Sequence, residues 1–184
     1  MKGMSENVFI NVKNSSLSIT ADVDVPQGKA EGVILAQAGR FGGWSLYLKD
    51  GKPTYTYNWL GLERYTVVAS QPLAPGKATI RLEFAYDGGG IGKGGMGTLF
   101  VNDQKVGEGR IEKTQCCVFS ADEGADVGID DGTPVSEDYK AGEESKFSGK
   151  IFKVTVALKP GKPLDKADAE KIEDNDALAK QSKD

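Results

Sequence analysis

Apolar and polar residues alternate with a period of two along most of this chain, the side-chain rhythm of a β-strand with one face buried. In residues 16–25, Leu17, Ile19, Ala21, Val23 and Val25 alternate with Ser18, Thr20, Asp22 and Asp24, and Pro26-Gln27-Gly28 closes the run. Residues 76–86 repeat the pattern, with Ala78, Ile80, Leu82, Phe84 and Tyr86 set against Lys77, Thr79, Arg81 and Glu83. Between them, residues 43–58 read as a hairpin, because Asp50-Gly51 favours the type I′ turn whose twist matches the flanking strands. That turn predicts Lys49 opposite Lys52, Leu46 opposite Tyr55 and Trp44 opposite Tyr57. Trp44, Leu46, Leu48, Tyr55 and Tyr57 then share a buried face, and Ser45, Tyr47, Lys49, Thr54 and Thr56 a wet one.

Shorter runs predict strands at residues 7–12, 32–37, 65–70, 115–120, 125–129 and 149–158, and a second hairpin pairing 98–102 with 104–109. Residues 39–43 and 59–64 are connections, the latter unusually apolar. The fold class predicted is all-β, a two-sheet antiparallel sandwich over residues 1–160. Past Pro160 the composition turns to Lys, Asp, Glu and Ala with few apolar anchors, Leu164, Ile172 and Leu178, so residues 161–184 read as a short helical or frayed tail.

Composition narrows the function. With 184 residues, 39% of them hydrophobic, the chain can bury one core. A net charge of −4 gives no electrostatic reason to bind nucleic acid or an anionic membrane. The first residues lack an apolar signal region, and no run approaches the roughly 18 apolar residues of a membrane span. The expectation is a soluble chain, periplasmic or extracellular if it is a piece of an exported protein. Histidine is absent, which removes the commonest general base and metal ligand. The two cysteines, Cys116 and Cys117, are adjacent on a predicted strand, so they are expected as two reduced thiols with one of them buried.

Four stretches carry candidate chemistry. Gly90-x-Gly92-x-x-Gly95 matches a dinucleotide fingerprint formally, but Thr98-Leu99-Phe100-Val101 follows it as a strand where that fingerprint requires a helix, so it reads as a flexible connection. Asp126, Asp130 and Asp131 lie in an acidic stretch that offers hard oxygen ligands to calcium or forms a solvated loop; it lacks the spacing of an EF-hand. Phe41, Trp59, Leu60 and Tyr65 surround Arg40, Glu63 and Arg64, a set suited either to stacking on a sugar ring and holding an acidic group or to packing. Asn14-Ser15-Ser16 is a formal glycosylation sequon.

Several of these motifs carry a family resemblance. Residues 39–53 (GRFGGWSLYLKDGKP), 57–65 (YNWLGLERY), 84–90 (FAYDGGG), 107–110 (GEGR) and 126–139 (DVGIDDGTPVSEDY) resemble, in order, the C-terminal region of large microbial arylsulfatases. The resemblance runs from about residue 7 to residue 160 and implies a jelly-roll sandwich of the concanavalin A-like kind. It imports no catalysis: Cys117 is followed by Val118, Phe119 and Ser120 rather than by a formylglycine motif, and the sulfatase histidines are missing. As partner it implies a sulfatase catalytic domain.

Three functional readings follow. The first is a non-catalytic accessory module that packs or binds a ligand, without a cofactor. The second is a free-standing lectin-like protein that binds sulfated or acidic glycans through Arg40, Phe41, Trp59, Glu63, Arg64 and Tyr65. The third, a small hydrolase with paired carboxylates, lacks the Glu-x-Asp-x-x-Glu pattern it would need.

Overall fold

A computed structural model describes residues 1–160 and Glu170. Ten strands form two five-stranded antiparallel sheets. In chain order they are β1 (Ser16–Val25), β2 (Gly32–Gly39), β3 (Gly42–Lys49), β4 (Lys52–Trp59), β5 (Glu63–Val68), β6 (Gly76–Tyr86), β7 (Gly95–Val101), β8 (Gln104–Ile111), β9 (Ala125–Val127) and β10 (Lys150–Lys159). One sheet runs β10-β1-β6-β7-β8 and the other β5-β4-β3-β2-β9. Within residues 1–160 the only helix is a 3-10 turn, Gly142–Ser145, and no described helix is long and apolar enough to cross a membrane. The tail predicted for residues 161–184 lies outside the described residues apart from Glu170.

The alternating runs place their apolar halves between the sheets. Leu17, Ile19, Ala21 and Val23 from β1 and Ile80, Leu82 and Phe84 from β6 meet Trp44, Leu46, Leu48, Tyr55 and Tyr57 from the hairpin. The hairpin register is the predicted one, with Lys49 opposite Lys52, Leu46 opposite Tyr55 and Trp44 opposite Tyr57. The continuous apolar run of β2 has a separate cause. A register shift between Val33 and Leu35 turns Ile34 and Leu35 both inward, while Val33 and Ala36 enter a second, smaller core.

That second core corrects the wet face expected of the hairpin. Ser45, Tyr47, Thr54 and Thr56 are all buried, because residues 128–148 fold back over the sheet as a strap. Val135 is buried against Tyr47, and the Tyr139 ring stands edge-on to Tyr47 with centroids 5.1 Å apart. The Tyr47 hydroxyl also bonds to Thr56 Oγ1 at 2.9 Å, Ser136 Oγ at 3.2 Å and Asp138. Only Lys49 of the predicted outer set is exposed.

Two predicted strands do not form. Residues 7–12 make turns begun by Val8 and Phe9 N–H groups donating to Ser5 O; Phe9 and Val12 pack inward while Val8 stays exposed. Residues 115–120 form an irregular loop, held where the Gln115 N–H donates to the Tyr57 hydroxyl at 2.8 Å and Glu6 accepts the N–H groups of Phe119 and Ser120.

Candidate functional site

Several connections converge at the end of the sandwich where β2, β4, β6 and β8 finish. The buried Asn58 joins two of them: its Nδ2 donates to Gly39 O and Arg40 O, both at 2.9 Å, and its Oδ1 accepts from Gly61 N at 2.9 Å. The β2–β3 and β4–β5 turns are thereby held side by side. In the β4–β5 turn, Leu62 N donates to Trp59 O at 3.0 Å, and Leu60 and Gly61 both take the left-handed backbone, at φ 56° and 72°. Both central residues of this turn thus carry the positive φ that a type I′ turn requires, within a three-residue connection.

The glycine-rich connection is pinned at the same end. The Tyr86 hydroxyl donates to Gly90 O at 2.7 Å and accepts from Lys93 N at 2.9 Å, and Asn14 Oδ1 accepts from Gly92 N at 2.9 Å. Asn14 Nδ2 donates to Cys116 O at 2.7 Å, so the sequon's amide nitrogen is already engaged within the fold. Cys116 and Cys117 are joined as a disulfide with Cα atoms 3.8 Å apart. This corrects the expectation of two reduced thiols. The pair sits on a bent loop rather than on a strand, where successive side chains would diverge to opposite faces.

These connections enclose an open hollow of about 370 Å³. Trp59 and Leu60 form one wall, the disulfide and Val118 another, and Gly92, Lys113, Thr114 and Gln115 complete the lining. Lys113 Nζ lies 4.5 Å from the centroid of the Trp59 ring and 2.7 Å from Glu63 Oε1. The Tyr65 hydroxyl donates to the other Glu63 oxygen. The Lys113 bond, then the Tyr65 bond, hold the Glu63 carboxyl below its usual range, while burial and the bond to Glu63 push the Tyr65 hydroxyl up to about 12. In the connections at this end, Phe41, Leu60, Leu62 and Val118 are all exposed.

The structure thus brings Trp59, Glu63 and Tyr65 together, sets the Arg40 and Phe41 backbone beside Gly61 in the adjoining turn, and turns Arg64 away from them. Trp59 pairs with Glu63, and Asn58 with Arg64, so Arg64 projects to the opposite face of the sheet. There its Nε donates to Val135 O at 3.2 Å and its guanidinium pairs with Glu137 at 3.3 Å. Arg40 stands at the exposed β2–β3 turn, its N–H donating to Thr133 Oγ1 at 2.8 Å. Sequence reasoning missed Gln115 and the disulfide wall, which fall in the segment 115–120 read as a strand, and Lys113, which lies just before it.

The acidic stretch is neither fully solvated nor gathered as a ligand set. Asp126 and Asp130 are buried, and both oxygens of Asp126 and the Oδ2 of Asp130 accept from N–H and O–H groups. Asp126 accepts from Gly3 N at 2.6 Å and Asp131 N at 3.0 Å; Asp130 accepts from Val135 N at 3.1 Å and Tyr139 Oη at 2.7 Å. Asp131 pairs at the surface with Lys2 at 3.0 Å. Among the described residues no group of three or more His, Cys, Asp or Glu side chains converges on a metal-ion position.

No protein-family model matches the chain, and no curated protein does. Solved structures do resemble it. Domains LG4-5 of the mouse laminin α1 chain superpose with a TM-score of 0.56 at 17% identity, over 86% of this chain and 39% of theirs. The CBM40 of the Ruminococcus gnavus IT-sialidase gives 0.54 at 14% identity, over 93% of this chain and 91% of its own. The same CBM40 bound to α2,3 sialyllactose gives 0.53 at 14% identity, over 88% and 83%. The fold is a concanavalin A-like jelly roll. At these identities the likeness concerns the fold alone, and it does not bear on the arylsulfatase resemblance.

Proposed function

We propose that this chain is a non-catalytic carbohydrate-binding module that takes its ligand in the hollow between Trp59 and the Cys116–Cys117 disulfide. The observation that carries the reading is the preformed aromatic and apolar hollow of about 370 Å³, large enough for a sugar ring and of the concave, mostly apolar kind that small-ligand sites favour. Of the sandwich's two outer faces, that of the β5-β4-β3-β2-β9 sheet is covered over β2 and β3 by the strap. The CBM40 structure with α2,3 sialyllactose supports the reading by analogy of fold.

The test is a glycan array of neutral and anionic sugars, probed with the wild-type chain and with Trp59→Ala. The expected result is binding that the substitution abolishes while the chain still unfolds cooperatively, at a lower melting temperature because Trp59 packs against the edge of the core. Absence of any Trp59-dependent signal would overturn the proposal. On this reading the arylsulfatase-like motifs place the module beside a sulfatase catalytic domain, with the sandwich ending near residue 160. The exposed apolar residues Phe41, Leu60, Leu62 and Val118 in the connections favour a second role for the same end, packing against such a domain. Phe41→Ser combined with Leu62→Ser would then weaken association with the partner domain and leave the melting temperature of the isolated module in place.

A further inference from the structure

We infer that the hollow selects neutral pyranose rings and rejects carboxylated or sulfated ones, with Glu63 as the specificity-determining residue. The inference rests on the carbohydrate reading above and adds the ligand class. Among the described residues Lys113 is the only charged side chain lining the hollow, and it is the group there that an anionic sugar would use. It is already committed: Glu63 lies 2.7 Å from its ammonium, the Tyr65 hydroxyl holds that carboxylate in place, and the ammonium itself lies 4.5 Å from the centroid of the Trp59 ring.

An incoming carboxylate or sulfate therefore exchanges one ion pair for another and gains little, while adding repulsion between itself and the displaced Glu63. A neutral ring meets no such competitor. An ammonium has three donors, and one ion pair does not exhaust them, so Lys113 can still donate to sugar hydroxyls. The apolar walls meanwhile receive the C–H face of the ring. Arg64, one of the two arginines the sequence offered, is turned to the opposite face and paired with Glu137 at 3.3 Å.

The discriminating experiment titrates the wild-type chain, Glu63→Gln and the distant control Glu144→Gln with lactose and cellobiose as neutral probes, and with α2,3-sialyllactose and 6-sulfated galactose as anionic ones. Melting temperatures confirm that each variant folds. The wild type is expected to bind a neutral probe more tightly than either anionic probe. Glu63→Gln, by releasing Lys113, should shift the anionic-to-neutral affinity ratio about fivefold toward the anion. That gain should shrink at high salt, and Glu144→Gln should leave the ratio where it was. Wild-type preference for the anionic probes, or a Glu63→Gln ratio unchanged from wild type, overturns the selectivity while leaving carbohydrate binding standing. Failure of every probe to bind takes the carbohydrate reading down with it.

Discussion

Leu60 is the residue at which conformation and site conflict. A leucine held at φ 56° pays roughly 1–2 kcal/mol for crowding its Cβ against the backbone, and an exposed turn gives no packing reason to keep it. Strain of this sort gathers where a side chain serves a ligand. Leu60→Asn, which tolerates the left-handed backbone, should therefore raise stability by about 1 kcal/mol in denaturant titrations. The same variant should weaken sugar binding, since Leu60 forms part of the hollow's wall. Higher stability with unchanged binding would show that the ligand sits elsewhere.

The strap and the disulfide loop are the elements that shape what surface remains. Gly32 lets the strap dock. Its φ is +102°, and a Cβ there would lie 2.3 Å from Lys146 O, where Val33 and Lys146 form a parallel bridge. Gly32→Ala should cost about 2 kcal/mol or more and speed proteolytic cleavage within residues 128–148, read by mass spectrometry. In the other element, native chain prepared without reductant should take up no iodoacetamide, and two equivalents after dithiothreitol and unfolding; uptake by the unreduced chain would mean free thiols.

Why these elements escaped sequence reasoning, when the strands did not, follows from their side chains. The spacing of Trp44, Leu46, Leu48, Tyr55 and Tyr57 leaves one register in which all five are buried, and Asp50-Gly51 sets it, so the hairpin was legible down to residue pairs. Ser45, Thr54, Thr56 and the Tyr47 hydroxyl suit water or a polar lid equally well. Only the distant Ser136, Asp138 and Tyr139 decide between them. The site divides in the same way. Trp59, Glu63 and Tyr65 share a face through strand pairing, whereas Lys113 reaches them from fifty residues away by a path no local pattern encodes.

At the scale of the whole molecule, stability should depend on pH through the buried Asp130. Burial is the main cause raising its carboxyl from the ordinary 3.8 to about 6, against the opposing bonds from Tyr139 and Val135. A carboxyl whose folded value is raised binds its proton more readily in the native chain than in the unfolded one. Its protonated form therefore favours folding below about pH 4, that advantage falls as pH rises toward 6, and above 6 it is gone. A shift from 3.8 to about 6 corresponds to about 3 kcal/mol. Glu63 and Glu83, whose carboxyls are lowered, change in the opposite sense, so the measurement has to be differential. Denaturant unfolding of wild type and Asp130→Asn, followed from pH 4 to pH 7, should show the variant gaining on the wild type by up to about 3 kcal/mol across that range. The gain should come mostly below pH 6, because Asn presents the same acceptor to Tyr139 and Val135 without a charge to desolvate. A pH-independent difference would mean that Asp130 ionises in the folded chain as easily as in water, and that the second core under the strap admits solvent.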